Sequence, residues 1–212
     1  MNKYSYVTLL SDDSYLYGII LLSESLKEVK SQYPLEILVT PNISNAVLDI
    51  LDQLNLKYTK IDLIKNEQFT NYNKKISQQF AKIWDTCFTK LQVWNMTYLD
   101  KVIYLDSDVM VLKNLDHLFN CPHMTSAIDG EYFNIWPKDP HFNAGILIIE
   151  PNHQEYEDLL KYIEEFKIDK WEKNQCIADQ ELLNLYYSNW INQEELHLNK
   201  YYDVFAPYIQ EE

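Results

Sequence analysis

The stretch DKVIYLDSDVMVLKNLDHLF, residues 100–119, decides how the rest of the chain is read. Val102, Ile103, Tyr104 and Leu105 form a short apolar, β-branched and aromatic run, the composition of a strand buried on both faces. The run stops at Asp106, Ser107 and Asp108. Two carboxylates at the end of a buried strand are costly unless a cation accompanies them. In extended chain, residues two apart share a side, so Asp106 and Asp108 are expected to converge while Ser107 faces away. Paired hard oxygens suit a divalent cation such as Mg²⁺ or Mn²⁺, with positions left for the phosphates of a nucleotide. A bare Asp-x-Asp is more often a solvated turn. Here Val109 to Leu112 resumes an apolar run at once, which places the acidic triplet between two segments expected to be buried. Asn114 to Phe119 reads as a turn and a short helix.

Working outward to the N-terminus, Tyr4 to Leu10 is an apolar strand, and Ser11 to Ser14 a polar turn. Ile19, Leu22, Leu26 and Val29 recur at helical spacing on one face. A second strand is expected at Leu35 to Thr40, a helix capped by Ser44 to about Leu54, and a third strand at Tyr58 to Leu63. This β-α-β-α-β order implies a mostly parallel sheet with right-handed crossovers, an α/β Rossmann-like architecture. Residues 65–82 carry little periodic pattern and read as a loop or short irregular helix. From Ile83 to Tyr98 a helix is expected with Cys87, Leu91, Trp94 and Tyr98 on its apolar face; Lys90 lies off that stripe and reads as solvated.

Beyond the acidic stretch, Met124 to Ile128 is a strand ending at Asp129, and residues 131–141, with Trp136, form a loop. Phe142 to Gly145 leads into the apolar strand Ile146 to Ile149. Tyr156, Leu159, Ile163 and Phe166 mark one helix face, and Cys176 to Gln180 opens another helix backed by Leu182, Leu183 and Tyr186. Asp179 at that helix start is suited to the helix dipole, so capping alone would explain it.

The 212 residues fit one domain, 1–212, with a sizeable core. A net charge of −14 argues against nucleic-acid binding, which needs clustered cations. All 18 basic residues are lysine, so no guanidinium can clamp a diphosphate, and bound phosphate must be held by metal, lysine or backbone N–H groups. Three glycines are too few for a phosphate-cradling glycine loop. No apolar run is long enough to span a bilayer, and the start MNKYSYVTLLSDD lacks a signal-peptide core. Cys87, Cys121 and Cys176 are odd in number and scattered, which favours free thiols and a cytoplasmic setting over disulfides or zinc.

Five segments in order resemble glycosyltransferase family eight, the glycogenin-like enzymes: VTLLSDDSYLYG at 7–18, FTKLQVW at 88–94, KVIYLDSDVMVLKNLDHLF at 101–119, FNAGILIIEPN at 142–152 and ADQELLN at 178–184. The resemblance covers roughly residues 4–200. It implies the A-type glycosyltransferase fold and a retaining transfer of hexose, most simply glucose from UDP-glucose or a related UDP-sugar, to a hydroxyl acceptor, with Mn²⁺ or Mg²⁺. Carried over by position, Leu9, Ser11, Asp12 and Tyr15 would surround uracil and ribose, with Tyr15 stacked on the base. Asp106 and Asp108 would ligate the metal, and the Ser107 backbone would help place the ribose. Lys90 would contact sugar or phosphate. Asp129, Asn143, Ala144, Asp179 and Gln180 would line the sugar pocket, with Asp179 nearest the anomeric carbon.

The sequence departs from the family in two places. No His-x-x-Gly-x-x-Lys segment, the family's source of a third metal ligand and a diphosphate lysine, follows the last helix, so donor hydrolysis is expected to compete with transfer; His197 is a poor substitute. Where the family often has arginine, this chain has Ala81-Lys82, and Lys82 is the replacement. The acceptor is a glycan or a protein tyrosine, including the chain's own Tyr201, Tyr202 or Tyr208, and a homodimer is compatible with the family. Two other readings stand beside the transferase: a nucleotide-sugar-binding protein without transfer, and a haloacid-dehalogenase-type phosphatase, which expects its Asp-x-Asp on the first strand.

Overall fold

A computed structural model of the chain describes residues 3–77, 86–129, 141–168 and 176–204. Its main sheet has five strands: β1 (Tyr4–Leu10), β2 (Leu35–Val39), β3 (Tyr58–Lys60), β4 (Lys101–Leu105) and β6 (Ile146–Ile149), in the order β3-β2-β1-β4-β6. β1 pairs in parallel with β2 on one side and β4 on the other, with Tyr6 opposite Ile103 and Val7 opposite Tyr104. β6 alone runs antiparallel, with Leu105 opposite Ile146. β5 (Ser126–Ala127) and β7 (His197–Leu198) form a separate parallel pair.

Strand alternation sorts the core into two faces. Tyr6, Ile103 and Ile148 point to the side of α1 (Leu16–Glu28), where Leu22 and Leu26 cover them. Leu10, Ile37 and Val39 meet α2 (Asn45–Gln53) on the same side. Val7, Val102, Tyr104, Leu147 and Ile149 point the other way, onto Leu91, Val93 and Trp94, α4 (His153–Glu165) and α5 (Asp179–Tyr186). Most of these side chains are fully buried. Each contributes roughly 1.5–3 kcal/mol by leaving water.

Several sequence expectations change. The third strand shortens to Tyr58–Lys60 at the sheet edge. The stretch expected to be irregular holds a regular helix, α3 (Glu67–Ile76), started by Asn66 accepting from the N–H groups of Gln68 and Phe69. Its apolar signal is faint because only Phe69 and Asn73 are fully buried, with Tyr72 partly buried beside them. The helix expected over 83–98 is a 3-10 helix, Cys87–Asn95, and Tyr98 lies beyond it, 47% exposed, with its hydroxyl donating to Glu36. The tighter winding turns Lys90 inward with Phe88, Thr89 and Leu91, so the solvated reading of that lysine is overturned. After Asp108 the chain is not a second buried segment: Val111 is buried, whereas Met110 and Leu112 are exposed. The strand expected at 124–128 narrows to β5 with single bridges beside it. The loop at 131–140 with Trp136, and residues Lys82 and Tyr208, lie outside the described residues.

Candidate active site

β1 and β4 lie side by side and end at the same edge of the sheet, which brings the turn after Leu10 next to the acidic triplet. The triplet is a turn, closed by the Val109 N–H donating to the Asp106 carbonyl at 3.2 Å, and not the extended chain from which convergence was inferred. The two carboxylates still share a field. Burial raises the Asp108 carboxyl above its ordinary range, and the charge of Asp106 adds to the effect. α1 packs directly on this turn. A Cβ at Gly18 would lie 2.1 Å from the Ser107 carbonyl oxygen, so only glycine lets the helix approach so closely.

Leu9 is buried at the end of β1, with Ser11 just beyond it. Asp12 accepts from the N–H and hydroxyl of Ser14 at 2.9 and 2.6 Å, which fixes the turn leading to Tyr15 and α1. Burial, followed by the charges of Asp108, Asp12 and Asp106, raises the Tyr15 hydroxyl, placing this ring within the field of the acidic turn.

Lys90 joins the two halves of the site. Its ammonium pairs with Asp179, lies 3.0 Å from Asp106 Oδ1, donates to the Ala144 carbonyl at 3.1 Å and sits 4.9 Å from the centre of the Tyr104 ring. Burial pushes its pKa down, but Asp106 and Asp179 outweigh burial and hold it above the ordinary lysine range. Tyr104 donates to the same Asp106 Oδ1 at 2.9 Å.

The residues that the family resemblance assigns to the sugar form one network. Ala144 N–H donates to Gln180 Oε1 at 3.0 Å, and Gln180 Nε2 reaches Asp129 Oδ2 at 3.4 Å. Asn143 donates to Asp129 Oδ1 at 3.2 Å and accepts from the Gly145 N–H at 2.7 Å. The Gly145 carbonyl in turn accepts from the Asp106 N–H at 3.0 Å. The bond from His141 holds the Asp129 carboxyl below its usual range, helped by Asn143 and Gln180 against the effect of burial.

Lys90, Asp106, Asp129, Asn143, Ala144, Asp179 and Gln180 are thus brought together, and Leu9, Ser11, Asp12, Tyr15, Ser107 and Asp108 lie along the adjoining edge. Sequence reasoning missed four participants. Tyr104 had a signal, since alternation puts it on the face of Asp106. Asn184, which brackets Phe142 through both its N–H and carbonyl, sat in the quoted ADQELLN segment. His141 had no pattern to mark it. Neither did Asp203, whose carboxyl is raised to about 6 by burial and by Asp129, Asp106 and Asp108. His197 lies against Trp190 with ring centres 4.3 Å apart and planes tilted by 33°.

Among the described residues no group of three or more His, Cys, Asp or Glu side chains is placed to hold a metal. The two carboxylates nevertheless fit a hard divalent cation that completes its shell from substrate oxygens and water. Lys90 and Tyr104 both engage Oδ1 of Asp106, so Oδ2 and the Asp108 carboxylate are the oxygens that would hold such an ion.

Residues 6–212 match glycosyl transferase family 8. The chain belongs to that family. Glycogenin of Neurospora crassa is 32% identical over 190 residues, 89% of this chain and 25% of that protein. Glycogenin-1 of Homo sapiens is 27% identical over 191 residues, 90% of this chain and 50% of that protein. Galactinol synthase 1 of Arabidopsis thaliana is 28% identical over 214 residues, 86% of this chain and 58% of that protein. The chain therefore spans from a quarter to somewhat over half the length of these family 8 relatives. Among solved structures, the galactosyltransferase LgtC in complex with donor and acceptor sugar analogues aligns with a TM-score of 0.60 at 18% identity, covering 93% of this chain and 81% of that one. The glycosyltransferase GlyE of Streptococcus pneumoniae aligns at 0.57 with 22% identity, covering 87% and 44%. The fold is the A-type glycosyltransferase fold expected of family 8. Its Asp-x-Asp follows the fourth strand of the chain, unlike the first-strand motif of the phosphatase reading. No helix among the described residues is long and apolar enough to cross a membrane.

Proposed function

We propose that the protein transfers a neutral hexose, most simply glucose from UDP-glucose, to a hydroxyl acceptor with retention at the anomeric carbon, and that water competes as acceptor. The observation that carries this reading is the shared pairing of Lys90 with Asp106 and Asp179, which links the end of the acidic strand to the start of α5 at one point. Breaking a sugar–phosphate bond develops negative charge on the diphosphate and positive charge on the sugar. Bound Mn²⁺ or Mg²⁺, held by Asp106 and Asp108, supplies Lewis-acid stabilisation of the leaving diphosphate.

The chain's own residues do the rest. Asp179 is assigned to the sugar side, where its carboxylate stabilises the anomeric carbon as an ion-pair partner or as nucleophile. Gln180 is a positioning group, because its oxygen and nitrogen are committed to Ala144 and Asp129. Asp129 and Asn143 are assigned to the sugar hydroxyls, and Tyr15 to the base. A neutral hexose is favoured over a uronic acid, because the buried lysine of this site, the one among the described residues, is already shared by two carboxylates. Of the C-terminal tyrosines, Tyr202 is tied to His117 at 2.8 Å, whereas Tyr201 is 70% exposed and is the favoured self-acceptor. Free thiols at Cys87, Cys121 and Cys176 suit a reducing cytoplasm.

The test is incubation with UDP-glucose, UDP-galactose or UDP-glucuronate, with and without MnCl₂, following UDP release, free sugar and intact protein mass. Metal-dependent UDP release that is lost in Asp108→Ala supports the reading. Binding without turnover for every donor would establish a nucleotide-sugar-binding protein instead, and phosphate release without need for a UDP-sugar would make it a phosphatase.

A further inference from the structure

Asp179 is the first residue of α5, and the residue before it is alanine, which has no side chain to cap the helix. A helix start is normally fixed by its own capping side chain. Here one substitute is local: Glu181 reaches back to accept from the Ala178 N–H at 2.8 Å. The other comes from a distant helix. Asn73 on α3, 2% exposed, donates to the Ile177 carbonyl at 2.8 Å and accepts from the Ile177 N–H at 2.9 Å. Both polar ends of one amide are spent on the backbone two residues before Asp179.

The clamp has rigid footing. One turn earlier, Phe69 is 1% exposed and packs against Phe88 and Phe166 at ring separations of 5.0 and 5.3 Å. Phe88 belongs to the same 3-10 helix as Lys90. α3 therefore ties the backbone carrying the carboxylate to the helix carrying its ammonium partner.

We propose that Asn73 is a positioning residue for Asp179, acting through the backbone of Ile177 to set where the carboxylate stands relative to the sugar. The proposal rests on the reading that Asp179 acts at the sugar. A buried two-point amide bond could be purely structural, so the test needs a local readout. Cys87 provides one, because its thiol meets the backbone of Asp179. Cys121 lies elsewhere, against the cluster around Phe119, and serves as internal control.

The experiment compares the full chain with Asn73→Ala, Asn73→Asp, Asn66→Ala and Asp179→Asn. Asn73→Asp keeps an acceptor for the Ile177 N–H and loses the donor to its carbonyl, so it remains informative if Asn73→Ala does not fold. Asn66→Ala removes the cap of α3 and its bond to Ile163, weakening the first turn of the helix while leaving both Asn73 bonds in place. Turnover, donor affinity and peptide-resolved alkylation of the thiols are measured. The expected result for the Asn73 variants is a fall in kcat of roughly tenfold or more, since small misplacements of a reacting group cost this much. Donor Kd should stay within about twofold, Cys87 should alkylate faster, Cys121 should not, and Asn66→Ala should show none of this. Unchanged kcat, or Cys87 and Cys121 accelerating together, overturns the proposal. If Asp179→Asn turns over normally, the functional reading itself fails, whatever Cys87 reports.

Discussion

The Lys90 ammonium stands between Asp106 and Asp179, paired to both and closed off from solvent by the Tyr104 ring and the Ala144 carbonyl. Removing its charge leaves two acids facing each other at the centre of the site. Breaking a fully buried pair costs about 3–5 kcal/mol. Asp106 is 36% exposed at its side chain, so water screens part of the loss. Lys90→Met is expected to lower stability by about 1–3 kcal/mol in urea denaturation and to reduce turnover by at least roughly a hundredfold. Wild-type turnover in this variant would remove Lys90 from the site.

Tyr104 contributes a single neutral-to-charged hydrogen bond that holds Oδ1 of Asp106. Tyr104→Phe keeps the buried ring and loses the hydroxyl, so its stability should change by no more than about 1–2 kcal/mol. The measurable effect should be on the metal concentration needed for half-maximal activity, rising severalfold because the carboxylate can rotate. A metal titration that superimposes on wild type would show that Asp106 needs no such hold.

Gly18 has no room for even a methyl group, which would meet the Ser107 carbonyl at 2.1 Å. Gly18→Ala must therefore push α1 off the acidic turn, and a loss of about 2 kcal/mol or more is expected from such overpacking. Donor binding should weaken with it. A thermal melt within a degree of wild type would mean the helix is not seated as described.

Glu36 gives the fold an acid limit. Burial raises its pKa, but bonds from Lys57, Thr59 and Tyr98 outweigh burial and bring the carboxyl below the usual range. A depressed folded pKa contributes stability above the unfolded value, about 4.3, and loses it as pH falls through the lower folded value. Urea denaturation between pH 3 and 6 should show this loss, and Glu36→Gln should be less stable at pH 6 yet show a flatter acid limb. Parallel curves for the two proteins would assign the acid sensitivity elsewhere.

Much of this arrangement was legible in the residues because the information is local. Continuous apolar runs bounded by turn residues located β1, β2, β4 and β6, and the segments quoted for the family resemblance carried most of the site. What escaped depends on how distant pieces meet. Lys90 looked solvated because helical spacing assumes an α-helix, and the 3-10 winding rotates it into the core. α3 looked irregular because one of its two fully buried residues is an asparagine whose partner lies about a hundred positions away. His141 and Asp203 take their roles only from charges that other segments deliver.

β6 runs against the direction of β4, its one partner in the sheet, so the strand that leaves the acidic turn's edge is paired head to tail with the strand that arrives there. Asp106 closes one and Gly145 opens the other, joined by the bond between the Asp106 N–H and the Gly145 carbonyl, while Ser126 fastens the carbonyls of Asn143 and Ile146 from behind at 2.6 and 2.8 Å. For anyone redesigning donor choice, this is a warning about bandwidth. The loop assigned to the sugar and the turn assigned to the metal share one frame, so a library that shifts residues 143–145, or Asp129, which is bonded to Asn143, retunes both at once.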